Sequence, residues 1–457
     1  MVPSDALLRR YDRPGPRYTS YPTALEFNDS FGPEEYDGRL RALGAEQCVS
    51  LYLHLPFCRE RCAFCGCHVI ATKKAEVAER YLEYMEKEMD LLLERVGRPP
   101  AVIQYHWGGG TPTYLTPGQI KRLDAAVRRR FDLLPDAERS IEIDPRVTTR
   151  AHIDALRALG FNRLSMGVQD FTPRVQEAIG RHQTEEQTRS LFEYSRAQGF
   201  GSINIDLVYG LPAQTADGFA ANLASVLMLR PERVALYSYA HVPWARGNQK
   251  KIDEALLPPA ESKLDFMRQA VRAFEASGYE RIGMDHFALP EDALCAARRQ
   301  RRLHRNFMGY TTHPTPNLIG LGVSSIGEVD GAYAQNAKKL STYYEAIDAG
   351  RLPVERGYAL ERDDRIRRQV IMGLMCNLHL DTLAVQRAFG IRFDRYFADE
   401  LAQLRGGVSA DGLVRIADGA ISVTPKGAPF IRNIGMVFDR YLAKKQEAAK
   451  PAFSRTV

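Results

Sequence analysis

No stretch of this 457-residue chain reaches the ~18 uninterrupted apolar residues that a membrane-spanning helix needs. The opening, MVPSDALLRRYDRPGP, lacks the apolar centre of a secretory signal. Dense runs of one charge are missing too: 62 basic and 56 acidic residues leave a net charge of +6 spread along the chain. That surplus argues weakly for an anionic ligand and gives no reason to expect nucleic acid or a membrane as a partner. Low-complexity tracts and solenoid-length repeats are absent as well. Cysteine is scarce, with 7 residues in all. The chain therefore reads as cytosolic, with two or three domains, and its 45% apolar content is enough to bury real cores.

Against that scarcity, four of the cysteines fall within ten positions, Cys58, Cys62, Cys65 and Cys67, in LHLPFCRERCAFCGCHVI, while Cys48, Cys295 and Cys376 stand alone. In a reducing compartment clustered thiols are more often metal or redox ligands than disulfides. Three residues separate the first pair and two the next, so one loop can wrap a single inorganic cluster and leave its fourth corner free. A zinc site usually draws on two well-separated ligand pairs, although Cys67 or His68 keeps that alternative open. Ferredoxin-type clusters take a fourth, usually remote, cysteine. A cluster with an open corner fits this loop better.

From about residue 50, apolar strands alternate with amphipathic helices. VSLYLHL is followed by a helix in which Tyr81, Met85, Met89, Leu92 and Val96 recur at helical spacing; AVIQYHW, RSIEID, RLSMGVQ, SINIDLVY and RVALYSY come next, with helical segments between them. The alternation predicts an α/β fold with a parallel sheet and right-handed crossovers. Eight units would close a barrel, and six are present, so the expectation is an open, partial (β/α)6 TIM-like barrel over residues 49–250. Residues 1–48, rich in proline and tyrosine, read as an ordered arm. Residues 251–354 extend the barrel, and residues 355–457 form a small, mainly helical domain with a short GLVRI, AISVT strand pair and a final helix.

Ligand-binding groups are expected at the C-terminal ends of the strands. The second strand ends in HWGGGTPTYL, where glycines let backbone groups approach a ligand with no Cβ between. A plain tight turn is the structural alternative. Glu142, Gln169 and Asp206 lie at or near the ends of strands three, four and five. Polar groups in apolar strands are costly without partners, so each must hydrogen-bond something in the lumen, whether a ligand or a structural network.

The Cys58, Cys62, Cys65 spacing, with Phe64 before the last ligand, resembles the radical S-adenosylmethionine superfamily. From YDRPGPRYTSYPT through CAFCGC, HWGGGTPTYL, MGVQDF, GRHQT and IGMDHFA to RNFMGYTT and RNIGMVFDRYL, about residues 8 to 445, the chain is similar to the oxygen-independent coproporphyrinogen III oxidases within it. The resemblance implies a [4Fe-4S] cluster on Cys58, Cys62 and Cys65, with Cys67 a non-ligand. It implies S-adenosylmethionine on the open corner, held by Tyr52, Gly109, Glu142 and Ile326, of which Tyr52 and Glu142 also serve the chemistry. A second S-adenosylmethionine would touch Phe64, Gly110, Thr111, Gln169, Arg181, Asp206 and Ala240. The implied reaction converts two propionates of coproporphyrinogen III to vinyls, giving protoporphyrinogen IX in haem biosynthesis. The implied partners are that substrate and a low-potential donor such as flavodoxin or ferredoxin, acting on a monomer. Arg17, Arg181, Arg302, Arg305 and Arg432 are candidates for the propionates, and the arm and the 251–354 segments for covering the macrocycle. Met308 stands where the family often has glutamine, and a thioether cannot replace an amide's donors. The rival reading is a haem-binding chaperone related to these oxidases but without decarboxylase activity. Such relatives generally lack the cysteine at Cys67 and the YTSYPT arm.

Overall fold

The computed structural model describes residues 4–442 and 453, with Asp5 described by its backbone alone. The remainder of the expected C-terminal helical section lies outside the described residues. The chain divides into two units, one of Phe27–Gly278 with Thr315–Ala359 and one of Met1–Glu26, Tyr279–Pro314 and Leu360–Val457.

The first unit is built on strands β1 (Val49–Leu55), β2 (Ala101–Gly109), β3 (Asp132–Ile143), β4 (Arg163–Gln169), β5 (Ser202–Tyr209) and β6 (Arg233–Ser238). Each runs parallel to the next, as the six-unit open barrel requires. A seventh parallel strand, β7 (Leu318–Leu321), lies on the other side of β1. Strands β8 (Ile326–Val329), β9 (Ala332–Asn336) and β10 (Val354–Ala359) continue the sheet from β7 as an antiparallel meander. Sequence patterning missed β7 because it is four residues long and ends in the Gly322 turn, with no crossover helix to mark it.

Helices α1 (Ala75–Val96), α2 (Pro117–Arg128), α3 (Arg150–Ala158), α4 (Pro173–Ile179), α5 (Glu185–Ala197) and α6 (Ala216–Leu229) make the crossovers, and α7 (Ala260–Ala276) follows β6. In α1, Tyr81, Leu82, Met85, Met89 and Leu92 share a buried stripe, and Gly97 at φ 75° stops the helix. Each such fully buried apolar side chain contributes about 1.5–3 kcal/mol. One polar residue, Glu88, sits in that stripe.

Alternation along the strands sorts core from lumen. Leu164, Met166 and Val168 of β4 are buried, which turns Ser165, Gly167 and Gln169 to the opposite face. The register then aligns like with like: Tyr52 beside His106, Glu142 beside Ser165, Ser165 beside Asn204, and Gly167 beside Asp206. The lumen is thus polar while its outer wall is aliphatic and aromatic.

In the second unit, helix Arg362–Asn377 is followed by a three-stranded antiparallel sheet of His379–Asp381, Ala420–Val423 and Val414–Ala417, then by helix Ile431–Met436. N-terminal residues pack with this section: the Tyr18 hydroxyl donates to Asp439 at 2.9 Å, and Asn433 donates to the Tyr11 carbonyl at 2.8 Å. Met308 occupies the turn of the hairpin His304–Asn306 and Gly309–Thr311, its N–H donating to Asn306 Oδ1 at 2.8 Å. None of the described helices is long and apolar enough to cross a membrane.

Candidate active site

The cysteine loop leaves β1 through a two-residue parallel pair, Phe57–Cys58 with Ile70–Ala71. Cys58 Sγ lies 3.2 Å from Thr111 Oγ1, and burial pushes its thiol up to about 11, with further rises from Cys65 and Cys62 nearby. Cys62 is buried and its sulfur faces two guanidinium groups, Arg146 Nη2 at 3.6 Å and Arg181 Nη1 at 3.8 Å. A hydrogen bond from Cys67 draws the Cys65 thiol down, with help from the charges of Arg61 and Arg246. Cys67 itself is exposed. The structure therefore gathers Cys58, Cys62 and Cys65 on one loop, with a hydroxyl on Cys58 and two guanidinium groups facing Cys62, and it favours thiolate at Cys65.

The loop's backbone is clamped from the segment after β6. Asn248 Nδ2 reaches the carbonyls of Cys62 (3.2 Å), Ala63 (2.9 Å) and Cys65 (2.9 Å), and Gln249 Nε2 reaches those of Phe64 (3.1 Å) and Ala240 (3.2 Å). The Phe64 ring packs against the apolar group of Val175, Ile179, Leu211 and Tyr239. Neither amide carries a sequence signal; both sit in a run of polar residues, GNQKK.

Glycine is needed where β2 ends. Gly109 has φ +115°, and a Cβ there would fall 2.6 Å from the His54 ring; one on Gly110 would fall 2.6 Å from Pro56 C and O. The Gly109 N–H donates to Glu142 Oε2 at 3.2 Å, and His106 Nε2 lies 3.6 Å from Glu142 Oε1. Burial raises the Glu142 carboxyl, but His106 and the Gly109 N–H outweigh it and hold it below its ordinary value. Its side chain keeps 44% of its exposure, so it is an ionised acceptor open to the lumen. Tyr52 OH lies 2.9 Å from His54 Nδ1, with its ring stacked on His106. Burial, then the charge of Glu142, keeps the phenol protonated. His54 and His106 thus belong to this constellation, although sequence reasoning singled out neither.

On the opposite wall, Arg181 follows the left-handed Gly180 at the end of α4 and donates to Asp144 (2.9 Å) and the Gly167 carbonyl (2.5 Å). Gln169, the last residue of β4, takes a left-handed φ of 69°. Asp206 lies three residues short of the end of β5, bonded by Asn204 (2.8 Å) and Ser165 (3.3 Å). Burial, then repulsion from Glu142, pushes it up to about 7. Ala240 follows β6 and Ile326 opens β8, where a Cβ on Gly320 would fall 2.8 Å from the Ile326 carbonyl oxygen. The site residues expected from the sequence all fall in the first unit.

The arginines divide differently. Arg181 is in that unit; Arg17, Arg302, Arg305 and Arg432 are in the second. There Arg17 pairs with Asp285, and Arg305 Nη1 donates to the Arg17 carbonyl at 2.7 Å. Arg432 is buried on the carbonyls of Pro16 and Gly15. Arg302 is exposed and bonds Gln300 Oε1 at 2.6 Å.

The donor set fits a thiolate-bound iron cluster and a zwitterionic ligand. Three thiols share one loop, and thiolate is the ligand type that iron–sulfur clusters take. Asn204 Oδ1, Arg181 Nε and His68 Nε2 are buried without a hydrogen-bond partner. Such atoms cost about 1–3 kcal/mol each until a polar ligand meets them. A cavity of about 640 Å³ reaches Cys58 and Thr111 from outside, lined also by Arg59, Lys73, Arg146 and His182.

Fold and site together define a radical S-adenosylmethionine domain, and residues 52–224 match the family model described as the Radical SAM superfamily. Residues 360–430 match the HemN C-terminal domain. The oxygen-independent coproporphyrinogen III oxidase of Escherichia coli (strain K12) is 46% identical over 99% of this chain and 98% of its own length. That of Synechocystis is 42% identical over 99% and 98%. The solved structure of the Escherichia coli coproporphyrinogen III oxidase, described as a radical SAM enzyme, superposes with a TM-score of 0.92 at 45% identity, covering 96% of this chain and 99% of that one. The chain belongs to the oxygen-independent coproporphyrinogen III oxidase family.

Proposed function

We propose that this chain catalyses the anaerobic oxidative decarboxylation of two propionates of coproporphyrinogen III to vinyls, giving protoporphyrinogen IX. The full-length identity to curated oxidases carries the reading, and the cysteine triad, the glycine turn and Glu142 support it. When bound, the cluster and S-adenosylmethionine supply a carbon-centred radical that can take hydrogen from an unactivated C–H.

The residues present support distinct tasks. Cys58, Cys62 and Cys65 hold the cluster. Glu142, kept ionised by His106 and Gly109, accepts from the amino group of a zwitterion, and Gly109 and Gly110 let its methionine moiety lie against the strand end. Tyr52 and Ile326 complete that pocket. Phe64, Gly110, Thr111, Gln169, Arg181, Asp206 and Ala240 would take a second S-adenosylmethionine, one for each vinyl formed. The substrate's carboxylates call for guanidinium partners, and Arg17 and Arg305 are brought together in the second unit. The reducing electron comes from a low-potential donor such as flavodoxin or ferredoxin, and the enzyme works as a cytosolic monomer.

The test is anaerobic turnover of the reconstituted protein with coproporphyrinogen III, S-adenosylmethionine and a chemical reductant. Protoporphyrin after oxidation, with near two 5'-deoxyadenosines for each, is expected; Cys62→Ala should give neither. Protoporphyrin formed by Cys62→Ala at the parent rate would sink the assignment.

A further inference from the structure

Glu88 is 2% exposed, in the middle of the apolar stripe of α1, and no part of the chemistry described above uses it. Its carboxylate receives three donors: the Gly322 N–H at 2.8 Å, the Tyr343 hydroxyl at 2.6 Å and Asn336 Nδ2 at 2.6 Å. Tyr343 belongs to α8 (Leu340–Asp348) and Asn336 to β9. Two turns further back on α1, the Tyr81 hydroxyl donates to the His54 carbonyl (2.7 Å) and accepts from the Val323 N–H (2.9 Å). Glu88 and Tyr81 therefore grip the turn between β7 and β8 at two successive amides. Gly322 holds φ +92°, and a Cβ there would fall 2.7 Å from the His54 carbonyl oxygen. Ser324 is also left-handed, at φ 62°, with its hydroxyl 3.4 Å from His54 Nε2. The turn delivers its chain to Ile326, and His54 delivers its ring to Tyr52.

Burying a carboxylate inside an apolar stripe is expensive, and a neutral residue would pack there more cheaply. What the charge provides is an acceptor that three donors from three elements must face at once. We propose that Glu88 is a positioning residue that sets the wall of the S-adenosylmethionine pocket, fixing the Gly322–Ile326 turn directly and the His54–Tyr52 pair through Tyr81. This rests on the assignment of that pocket under the proposed function. All three contacts put a donor on the carboxylate, so its ionised form is the one that holds the turn. Burial pushes the group up to about 7, against the lowering effect of those donors. The ionisable groups facing it are Tyr81 on α1, Tyr343 on α8 and Tyr36 on helix Pro33–Arg41, all kept protonated by burial.

Binding of labelled S-adenosylmethionine to the anaerobically reconstituted full chain tests this by equilibrium dialysis, with iron content and thermal melting as controls. Glu88→Gln replaces one acceptor oxygen with a donor facing donors, and should weaken binding about tenfold. The parent's affinity should fall as pH drops below about 7 by more than that of the variant, a signature that a packing defect would not give. Tyr343→Phe removes a single donor, keeps the ring, and should weaken binding about threefold even where Glu88→Gln fails to fold. Unchanged affinity in either variant, with Glu142→Gln weakened, overturns the role of Glu88 alone. Unchanged affinity in Glu142→Gln as well overturns the pocket assignment itself.

Discussion

Replacing Asn248 with alanine tests whether the cluster loop is shaped from outside itself. The amide donates to the carbonyls of Cys62, Ala63 and Cys65, but an NH2 group has only two hydrogens, so three contacts amount to about two hydrogen bonds. At about 1 kcal/mol each, removing the side chain frees the loop by about 2 kcal/mol, or about 30-fold in the equilibrium between the shaped and unshaped loop. Two other backbone bonds remain, Ala63 N–H to the Ile179 carbonyl and Cys65 N–H to the Cys62 carbonyl, so the fold should survive. Iron and sulfide should be lost to a chelator about 30-fold faster from Asn248→Ala than from the parent, while the cluster-free chain still unfolds cooperatively with its melting temperature lowered by only a few degrees. Asn248→Asp, whose carboxylate would face carbonyl oxygens, should be worse than alanine. Cluster loss at the parent rate in both variants would refute the clamp.

Gly110→Ala should destabilise the chain by about 1–3 kcal/mol, because the new Cβ meets the backbone of Pro56 and Phe57, which cannot swing aside; a parent-like denaturant midpoint would count against it. Burial, then Glu142, raises Asp206 to about 7 in the folded chain, against about 4 when unfolded. The folded state therefore holds this proton more tightly, a contribution present below about pH 4 and lost as pH rises toward 7. Asp206→Asn stays neutral throughout, so its stability relative to the parent in urea melts should climb across that window and then level off; a difference that does not vary with pH would refute the coupling. Cys67→Ser should retain a full complement of iron and sulfide after reconstitution, since Cys67 is exposed. Loss of iron on a par with Cys62→Ala would instead make it a ligand.

The six parallel strands and their helices were legible because each carries a period of its own, two in RLSMGVQ and near 3.6 from Tyr81 to Leu92. The cysteine loop was legible because cysteine is rare and four fall close in sequence, and the glycine turn because three glycines run together at a strand end. What escaped was set by register across the sheet. His106 matters because the β1–β2 register places it beside Tyr52, and nothing in QYHW announces that neighbour. His54 likewise reads as a polar interruption of an apolar strand until Gly109 and Tyr52 are seen against it. Asn248 and Gln249 act through backbone carbonyls, and Glu88 through the Gly322 amide and the side chains of Asn336 and Tyr343 far along the chain, partners that no local motif encodes. The strand Leu318–Leu321 falls below the length at which periodicity distinguishes strand from turn.

The amide clamp also imposes an order of events on biosynthesis. Asn248 lies 183 residues beyond Cys65, so the three cysteines leave the ribosome long before the residue that holds their loop. Until the sixth strand has been made and docked, the three thiols belong to an unshaped segment, open to stray metals and oxidation. A nascent chain stalled before residue 248 would carry the three cysteines without the amide that holds their loop in shape.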